Sequence, residues 1–316
     1  MSRSQDRSLH FRAMGSPCLL RVAGPRANLP STLRALAAAQ HEVERIERRY
    51  SRYRADSIVS RINAAAGSSS AVPLDAETAM LLGFADRLFM ESDGLFDITS
   101  GALRRVWDFK SARLPNAQAL AAVLPLVNWA GVAWDQHGIR LPLAGMELDF
   151  GGFGKEYAAD RAASVLMQAG LSHGYVNLGG DLRLLGPMPD GSPWRLGIAD
   201  PRKAAAVRLG LEVHHGALTT SGDYERFFEL DGQRYCHILN PRSGWPVQHW
   251  QSISVLAPAC LAAGALSTVA MLKGADAPAF LQSQGVAWIG IEASGRLHGL
   301  DTHDRQADAS HATERL

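Results

Sequence analysis

The chain contains 316 residues, of which 47% are hydrophobic and 20% are charged. At roughly 100–200 residues per domain this length predicts one large domain or two modest ones with a sizeable buried core. Lysine and arginine total 32 against 31 aspartate and glutamate residues, which excludes the strongly basic face that sequence-independent nucleic-acid binding requires. Charge or proline interrupts every apolar stretch before the roughly 18 residues of a membrane span, so no transmembrane segment is predicted.

The cysteines and the N-terminus bear on the compartment. Three scattered cysteines predict neither a disulfide framework nor a CxxC metal site, and we expect small buried hydrophobes: Cys18, Cys236 and Cys260. Residues 1–12 are polar and lack the apolar core of a secretory signal, which predicts a flexible N-terminus and, for the sequence as it stands, a cytoplasmic protein. A precursor from which a leader had been removed would look the same and would be periplasmic.

Three amphipathic or capped helices are predicted in the first half of the chain. Apolar residues recur at helical spacing from a Pro-Ser start to Tyr50, with charged residues between them. A second helix begins after Asp75, an N-cap residue, and stops near Gly94. A third runs from about Lys155 to Ala169.

Strands dominate the second half of the chain. Val207–Val213 alternates apolar and polar residues, as a half-buried strand does. Residues 224–230 and 234–239 flank Asp231-Gly232, a pair typical of a tight hairpin turn. Further strands are predicted at 252–256 and 286–291, around a helix at 261–273.

The predicted helices and strands do not alternate strictly as βαβ units, which indicates the α+β class. We find neither an internal repeat nor a low-complexity linker, so residues 13–300 are predicted to form one domain. Residues 301–316 are polar and are expected to form a frayed tail.

The most informative segment is Asp149-Phe150-Gly151-Gly152-Phe153-Gly154-Lys155, which passes from a strand end through a glycine-rich loop into a helix. Glycines allow close backbone approach, the first N–H groups of a helix are unpaired, and Lys155 adds a positive charge, so the loop suits a pyrophosphate. The segment matches neither the GxGxxG fingerprint nor the GxxxxGK[ST] P-loop. Taken alone, it is also compatible with a simple tight turn.

Four other segments carry polar groups that alone leave both a ligand contact and a structural role open. Asn177–Asp181 is a glycine turn followed by a carboxylate, and Thr219–Tyr224 supplies a cluster of hydroxyls before the hairpin. Asp97, with Thr99, follows the second helix, where it contacts a ligand or ends the helix. His237 is predicted in mid-strand, where a buried histidine with its hydrogen bonds satisfied is the plain alternative to a functional one.

In their order along the chain, these segments resemble the ApbE family, the FAD:protein FMN transferases, from Met14 to about Gly274. Eight segments carry the resemblance: Met14-Gly15-Ser16; Ser51-Arg52-Tyr53 with Asp56-Ser57 and Asn63; Gly94–Thr99 with Trp107-Asp108-Phe109; Asp149–Lys155; Asn177–Asp181; Trp194–Ile198; Thr220–Tyr224; and His237–Gly244. Eight segments in one order are specific to this family.

The resemblance implies an α+β domain of two lobes, with mixed sheets, flanking helices and FAD in a cleft between the lobes. Family enzymes split FAD, move its FMN half onto a threonine or serine hydroxyl of a target flavoprotein and release AMP, assisted by a divalent metal, usually Mg²⁺. The family's flavin-nucleotide contacts fall on Met14, Tyr53, Leu95, Phe96, Asp97, Asp149, Lys155 and Ile238. Its metal positions fall on Gly152, Thr268 and Gly264. His237 is the candidate base for the hydroxyl proton.

Gly264 departs from the family pattern, which has an aspartate four residues before the threonine. Residues four apart share one helix face, so the pattern brings a carboxylate and a hydroxyl to one ion. With glycine at 264 we expect a vacant ligand position and weakened Mg²⁺ binding. Two alternatives to the transferase follow from this departure: a non-catalytic FAD-binding protein, or an FAD pyrophosphatase that gives FMN and AMP.

Overall fold

The computed structural model describes residues 6–203 and 205–299, together with the backbone of 314–315. Seven α-helices occur in these residues: α1 (Pro30–Tyr50), α2 (Ile58–Ala64), α3 (Ala76–Glu91), α4 (Ala117–Val123), α5 (Gly154–Gln168), α6 (Cys260–Lys273) and α7 (Ala277–Ser283). Four short 3₁₀ turns accompany them at Gly101–Arg105, Leu124–Leu126, Trp129–Gly131 and Gly274–Asp276.

The described strands form one large sheet and three small ones. In chain order the strands are β1 (Asp6–Ala13), β2 (Ser16–Ala23), β3 (Val72–Pro73), β4 (Ala133–Trp134), β5 (Gly138–Arg140), β6 (Gly174–Leu178), β7 (Asp181–Gly186), β8 (Trp194–Ala199), β9 (Val207–Val213), β10 (Ala217–Gly222), β11 (Phe227–Leu230), β12 (Gln233–Cys236), β13 (Trp250–Ala257), β14 (Ala287–Glu292), β15 (Leu297–Gly299) and β16 (Glu314–Arg315). The eight-stranded sheet has the order β1-β2-β6-β7-β10-β13-β14-β15.

Every pairing in the large sheet is antiparallel. The expected mixed sheets are therefore limited to β16-β8-β9, where β16 pairs in parallel with β8. Residues 6–12, expected to belong to a flexible N-terminus, form most of β1 at the edge of the large sheet. This correction has a simple cause, since an edge strand can be polar and still pair its backbone with a neighbour. Most of the predicted tail at 301–316 lies outside the described residues.

The predicted helices and turns are confirmed. α1 buries Leu36, Val43 and Ile46 of the predicted apolar stripe, whereas Leu33 at its start is 41% exposed. The Asp75 side chain accepts the Thr78 N–H at 2.9 Å and so caps α3. The predicted hairpin pairs β11 with β12 across Asp231-Gly232, whose φ angles of 52° and 75° both lie in the left-handed region that such turns need.

The main hydrophobic core lies between α1, α5 and the large sheet. It joins Val43 and Ile46 of α1, Ala159 of α5, and Leu20 and Val176 of the sheet, all fully buried. Cys18, Cys236 and Cys260 are free and buried, as predicted. This packing fixes the start of α5, and the loop that precedes it, against the sheet.

Candidate active site

One cleft brings together nine of the predicted site residues. One wall comes from residues 95–104 and from the loop that opens α5, and the other from β10, residues 237–239 and α6. The predicted residues that line it are Leu95, Phe96, Asp97, Asp149, Gly152, Lys155, His237, Ile238 and Thr268. Segments far apart in the sequence therefore meet at one place.

Asp149 fixes the start of the glycine-rich loop, although the strand predicted before it is only an isolated bridge between Glu147 and Ser100. Asp149 Oδ1 accepts the Gly151 N–H at 2.8 Å, and its Oδ2 accepts from Arg104 Nε at 3.0 Å and Arg52 Nη1 at 3.2 Å. The carboxylate thus shapes the loop and also holds two guanidinium groups, of which Arg104 lines the cleft. A Cβ atom on Gly152 would lie 3.1 Å from the Phe96 ring, so glycine lets the loop pack closely on that aromatic floor.

Lys155 stands in the first turn of α5, beside the loop. Its Nζ lies 2.7 Å from Asp181 Oδ2, and the Asp181 side chain is almost fully buried. Burial is the strongest single influence and acts to lower the pKa of Lys155, but the charges of Asp181, Glu156 and Glu225 together outweigh it, and the pKa is raised. The ammonium group is therefore charged at neutral pH and held at the cleft, where it can meet an anionic ligand.

Glu156, which no sequence pattern indicated, faces Gly264 across the contact of α5 with α6. A Cβ atom on Gly264 would lie 2.5 Å from Glu156 Cγ and 2.8 Å from its Oε1. The side chain of Glu156 therefore fills the space beside Gly264, while the expected weakening of Mg²⁺ binding stays a prediction. Burial, with the nearby charge of Asp181, raises the pKa of the Glu156 carboxyl.

A chain of hydroxyl groups continues the wall beyond Gly264. Ser221 Oγ lies 2.8 Å from Ser267 Oγ and 3.0 Å from Thr268 Oγ1. Ser267 Oγ in turn donates to the Gly264 carbonyl at 3.0 Å. Thr268 therefore belongs to a hydrogen-bonded group at the cleft surface.

His237 lies one residue beyond the end of β12 rather than in mid-strand, and it lines the cleft beside Ile238. Its Nδ1 is buried and has no hydrogen-bond partner among the described residues. Burial and the positive charges of Arg226 and Arg104 lower the pKa of His237 to about 4. The imidazole is therefore neutral at pH 7 and has a free lone pair for a proton.

Three predicted flavin contacts have a different setting from the one expected. The carboxylate of Asp97 is occupied inside the protein: Oδ1 accepts from Thr99 N at 2.7 Å and Oδ2 from Trp129 N at 3.0 Å. Tyr53 lies outside the cleft with 75% of its surface exposed, although its hydroxyl accepts from Arg104 Nη1 at 3.3 Å. Met14 packs against the core beside a neighbouring groove rather than lining the cleft.

Glu156 and Arg104 are chemistry-bearing residues that sequence patterns missed, whereas Ser221 belongs to the hydroxyl cluster predicted at Thr219–Tyr224. Only the three-dimensional pairing of α5 with α6 distinguishes Glu156 from an ordinary acidic residue in a helix's first turn. In the described residues, no group of three or more His, Cys, Asp and Glu side chains is arranged to hold a metal ion. Among these residues, too, every helix is too short or too polar to cross a bilayer.

The cleft of this α+β fold combines a glycine-rich loop, the start of a helix and a charged lysine. Such a combination is typical of proteins that bind a phosphate-bearing ligand. A model of the ApbE family matches residues 14–289, and the chain belongs to this family. The FAD:protein FMN transferase of Escherichia coli (strain K12) is 30% identical over 302 residues, covering 91% of this chain and 84% of the relative. That of Treponema pallidum is 32% identical over 294 residues, covering 86% and 80%.

Solved structures agree with this assignment. The ApbE protein of Thermotoga maritima has a TM-score of 0.85 at 29% identity, covering 94% of this chain and 98% of that chain. The flavinyl transferase ApbE of Pseudomonas stutzeri, in its apo form, has a TM-score of 0.80 at 30% identity, covering 93% of both chains. The predicted family and fold class are confirmed.

Proposed function

We propose that the cleft binds FAD and transfers its FMN half to a threonine or serine hydroxyl of a target protein, with release of AMP. The observation that carries the proposal is the meeting of the Gly151-Gly152 loop, Lys155 and His237 in one cleft. Relatives that match most of this chain are named for this reaction.

The reaction is a displacement at phosphorus. The target hydroxyl oxygen forms a bond to the FMN-side phosphorus, the bond from that phosphorus to the bridging oxygen breaks, and AMP leaves with the bridging oxygen. Proteins catalyse such steps mainly by positioning and by neutralising charge on the phosphate oxygens. Lys155, which lines the cleft, supplies that neutralisation here. The loop N–H groups of Gly151, Phe153 and Gly154 already donate to Asp149 Oδ1 or to the Phe150 carbonyl.

His237 is placed to accept the proton of the attacking hydroxyl. Its lowered pKa keeps the ring unprotonated at neutral pH, and its Nδ1 has no competing partner in the described chain. Phosphate charge entering the cleft favours the imidazolium that forms, because opposite charges stabilise each other in a partly desolvated site. The proton can therefore reside on the ring while AMP departs.

A divalent cation, Mg²⁺ by preference, fits the oxygen-rich wall formed by Thr268, Ser221 and the Gly152 loop. Mg²⁺ prefers oxygen ligands and keeps several waters, so it does not need a cage of three carboxylates. Bound there, it would supply charge neutralisation at the pyrophosphate. The Oε2 atom of Glu156 is buried and has no hydrogen-bond partner in the described residues. This observation favours a cation-binding role for the wall over a role in packing alone.

The test uses the full chain, FAD, MgCl₂ and a target domain with an acceptor threonine. A transferase leaves fluorescent flavin on the target after denaturing electrophoresis, and mass spectrometry locates FMN on the acceptor. Free FMN and AMP, formed equally without the target, would instead identify a pyrophosphatase. Tight FAD binding without any product would identify a binding protein, and EDTA serves as the metal-free control.

A further inference from the structure

The contact of α5 with α6 has a defined register. The Asp160 carboxylate of α5 accepts the N–H groups of Cys260 and Leu261, both at 2.9 Å, and thereby caps α6. Glu156 lies one turn before Asp160, and Gly264 lies one turn after Cys260, so an antiparallel arrangement brings the two positions face to face. The cap therefore fixes where the Glu156 side chain meets α6.

Gly264 is the residue that admits this side chain. Any Cβ there would approach Glu156 Cγ to 2.5 Å, which is closer than carbon atoms pack. Glycine inside a helix costs about 0.5–1 kcal/mol relative to alanine. Glycine therefore occurs in α6 at the position where the Glu156 side chain contacts the helix.

The Glu156 carboxylate is directed into the cleft wall but is incompletely satisfied. The residue is only 7% exposed, and its Oε2 is buried without a hydrogen-bond partner in the described residues. Its neighbour Lys155 is engaged with Asp181 at 2.7 Å. A buried carboxyl oxygen without a partner is unfavourable, and a bound cation would remove that penalty and favour the ionised form.

Two hydroxyl oxygens line the same cleft as Glu156, those of Thr268 and Ser221. Thr268 follows Gly264 by one turn on the same face of α6, and Ser221 Oγ lies 3.0 Å from its hydroxyl. We infer that Glu156 is the carboxylate ligand of the divalent cation in this cleft, so that α5 supplies the charge that the family pattern places on α6. This inference rests on the proposed function, because it assigns a ligand to the same site.

Glu156→Gln tests the inference, because it keeps the shape of the side chain and removes the charge. Mn²⁺ is titrated into the full chain in the presence of ADP and followed by EPR, while FAD affinity is measured separately in EDTA. We expect Mn²⁺ affinity to fall by at least about tenfold, the lower limit for losing a residue that merely supports a ligand, with FAD affinity in EDTA unchanged. Glu225→Gln, which removes a charge elsewhere in the same cleft, should have a clearly smaller effect.

A double variant separates ligation from folding. Glu156→Gly should lose Mn²⁺ affinity, and Glu156→Gly combined with Gly264→Asp should recover it, because the carboxylate then reaches the site from α6. Parental Mn²⁺ affinity in Glu156→Gln, or equal losses in Glu156→Gln and Glu225→Gln, would overturn the inference while leaving FAD binding and transfer intact. A parental chain that does not bind FAD would overturn the proposed function itself, and the inference with it.

Discussion

Gly264→Ala has two opposing effects on the free energy of unfolding: it improves helix propensity, and it overpacks the contact with Glu156. The new methyl group improves helix propensity by about 0.5–1 kcal/mol. It also lies 2.5 Å from Glu156 Cγ, in a contact where Glu156 is almost fully buried. Overpacking of this kind costs about 1–3 kcal/mol. We therefore expect Gly264→Ala to lower the free energy of unfolding by up to about 2.5 kcal/mol.

Urea denaturation in EDTA measures this change without a contribution from bound metal. The matched control adds Gly264→Ala to a Glu156→Ala background, where the obstructing side chain is absent. There the same substitution should stabilise the protein by about 0.5–1 kcal/mol, so the sign reverses. Stabilisation in both backgrounds would refute the close contact, and with it the explanation of why glycine occupies position 264.

Three further predictions concern the cleft and its supporting helices. Lys155→Met should weaken FAD binding measured by calorimetry and also reduce stability by about 3–5 kcal/mol, because Asp181 is left buried and unpaired; unchanged FAD affinity would argue against the phosphate placement. His237→Ala should slow FMN transfer by about 10²–10⁴-fold while FAD affinity is retained, whereas a parental rate would assign the residue a structural role. The pKa of Glu77 is lowered from 4.5 to about 2, chiefly by its hydrogen bonds from Arg45, so its contribution to stability is present above pH 4.5 and lost as pH falls towards 2. Denaturation at several pH values should therefore show Glu77→Gln less stable than the parent at pH 7 and the difference vanishing in acid; a constant difference would contradict this.

Local elements could be predicted from the sequence because their causes are local. Asp75 caps α3 through a residue three positions away, and the Asp231-Gly232 turn is set by its own backbone preferences. β9 was predicted at Val207–Val213 from alternation alone, and the structure has the same bounds. Hydrophobic periodicity and the residue preferences of turns are therefore sufficient to predict these elements.

The parts that could not be predicted depend on partners far away in the chain. β1 forms because its backbone pairs with β2. Its many polar residues do not show an alternation strong enough to predict a strand. The cap of α6 is Asp160, which lies 100 residues before Cys260. Asp97 could be placed at the cleft by resemblance, but only the structure shows that its carboxylate is occupied by Thr99 and Trp129.

The closeness of Glu156 to Gly264 has a consequence for how sequences of this family are compared. Judged one alignment column at a time, a glycine at position 264 marks the chain as a degenerate member that has lost a functional residue. Judged as a pair, position 264 carries glycine where any side chain would collide with Glu156. An aspartate at position 264 would therefore need a smaller residue at position 156, which is the change made in the double variant above.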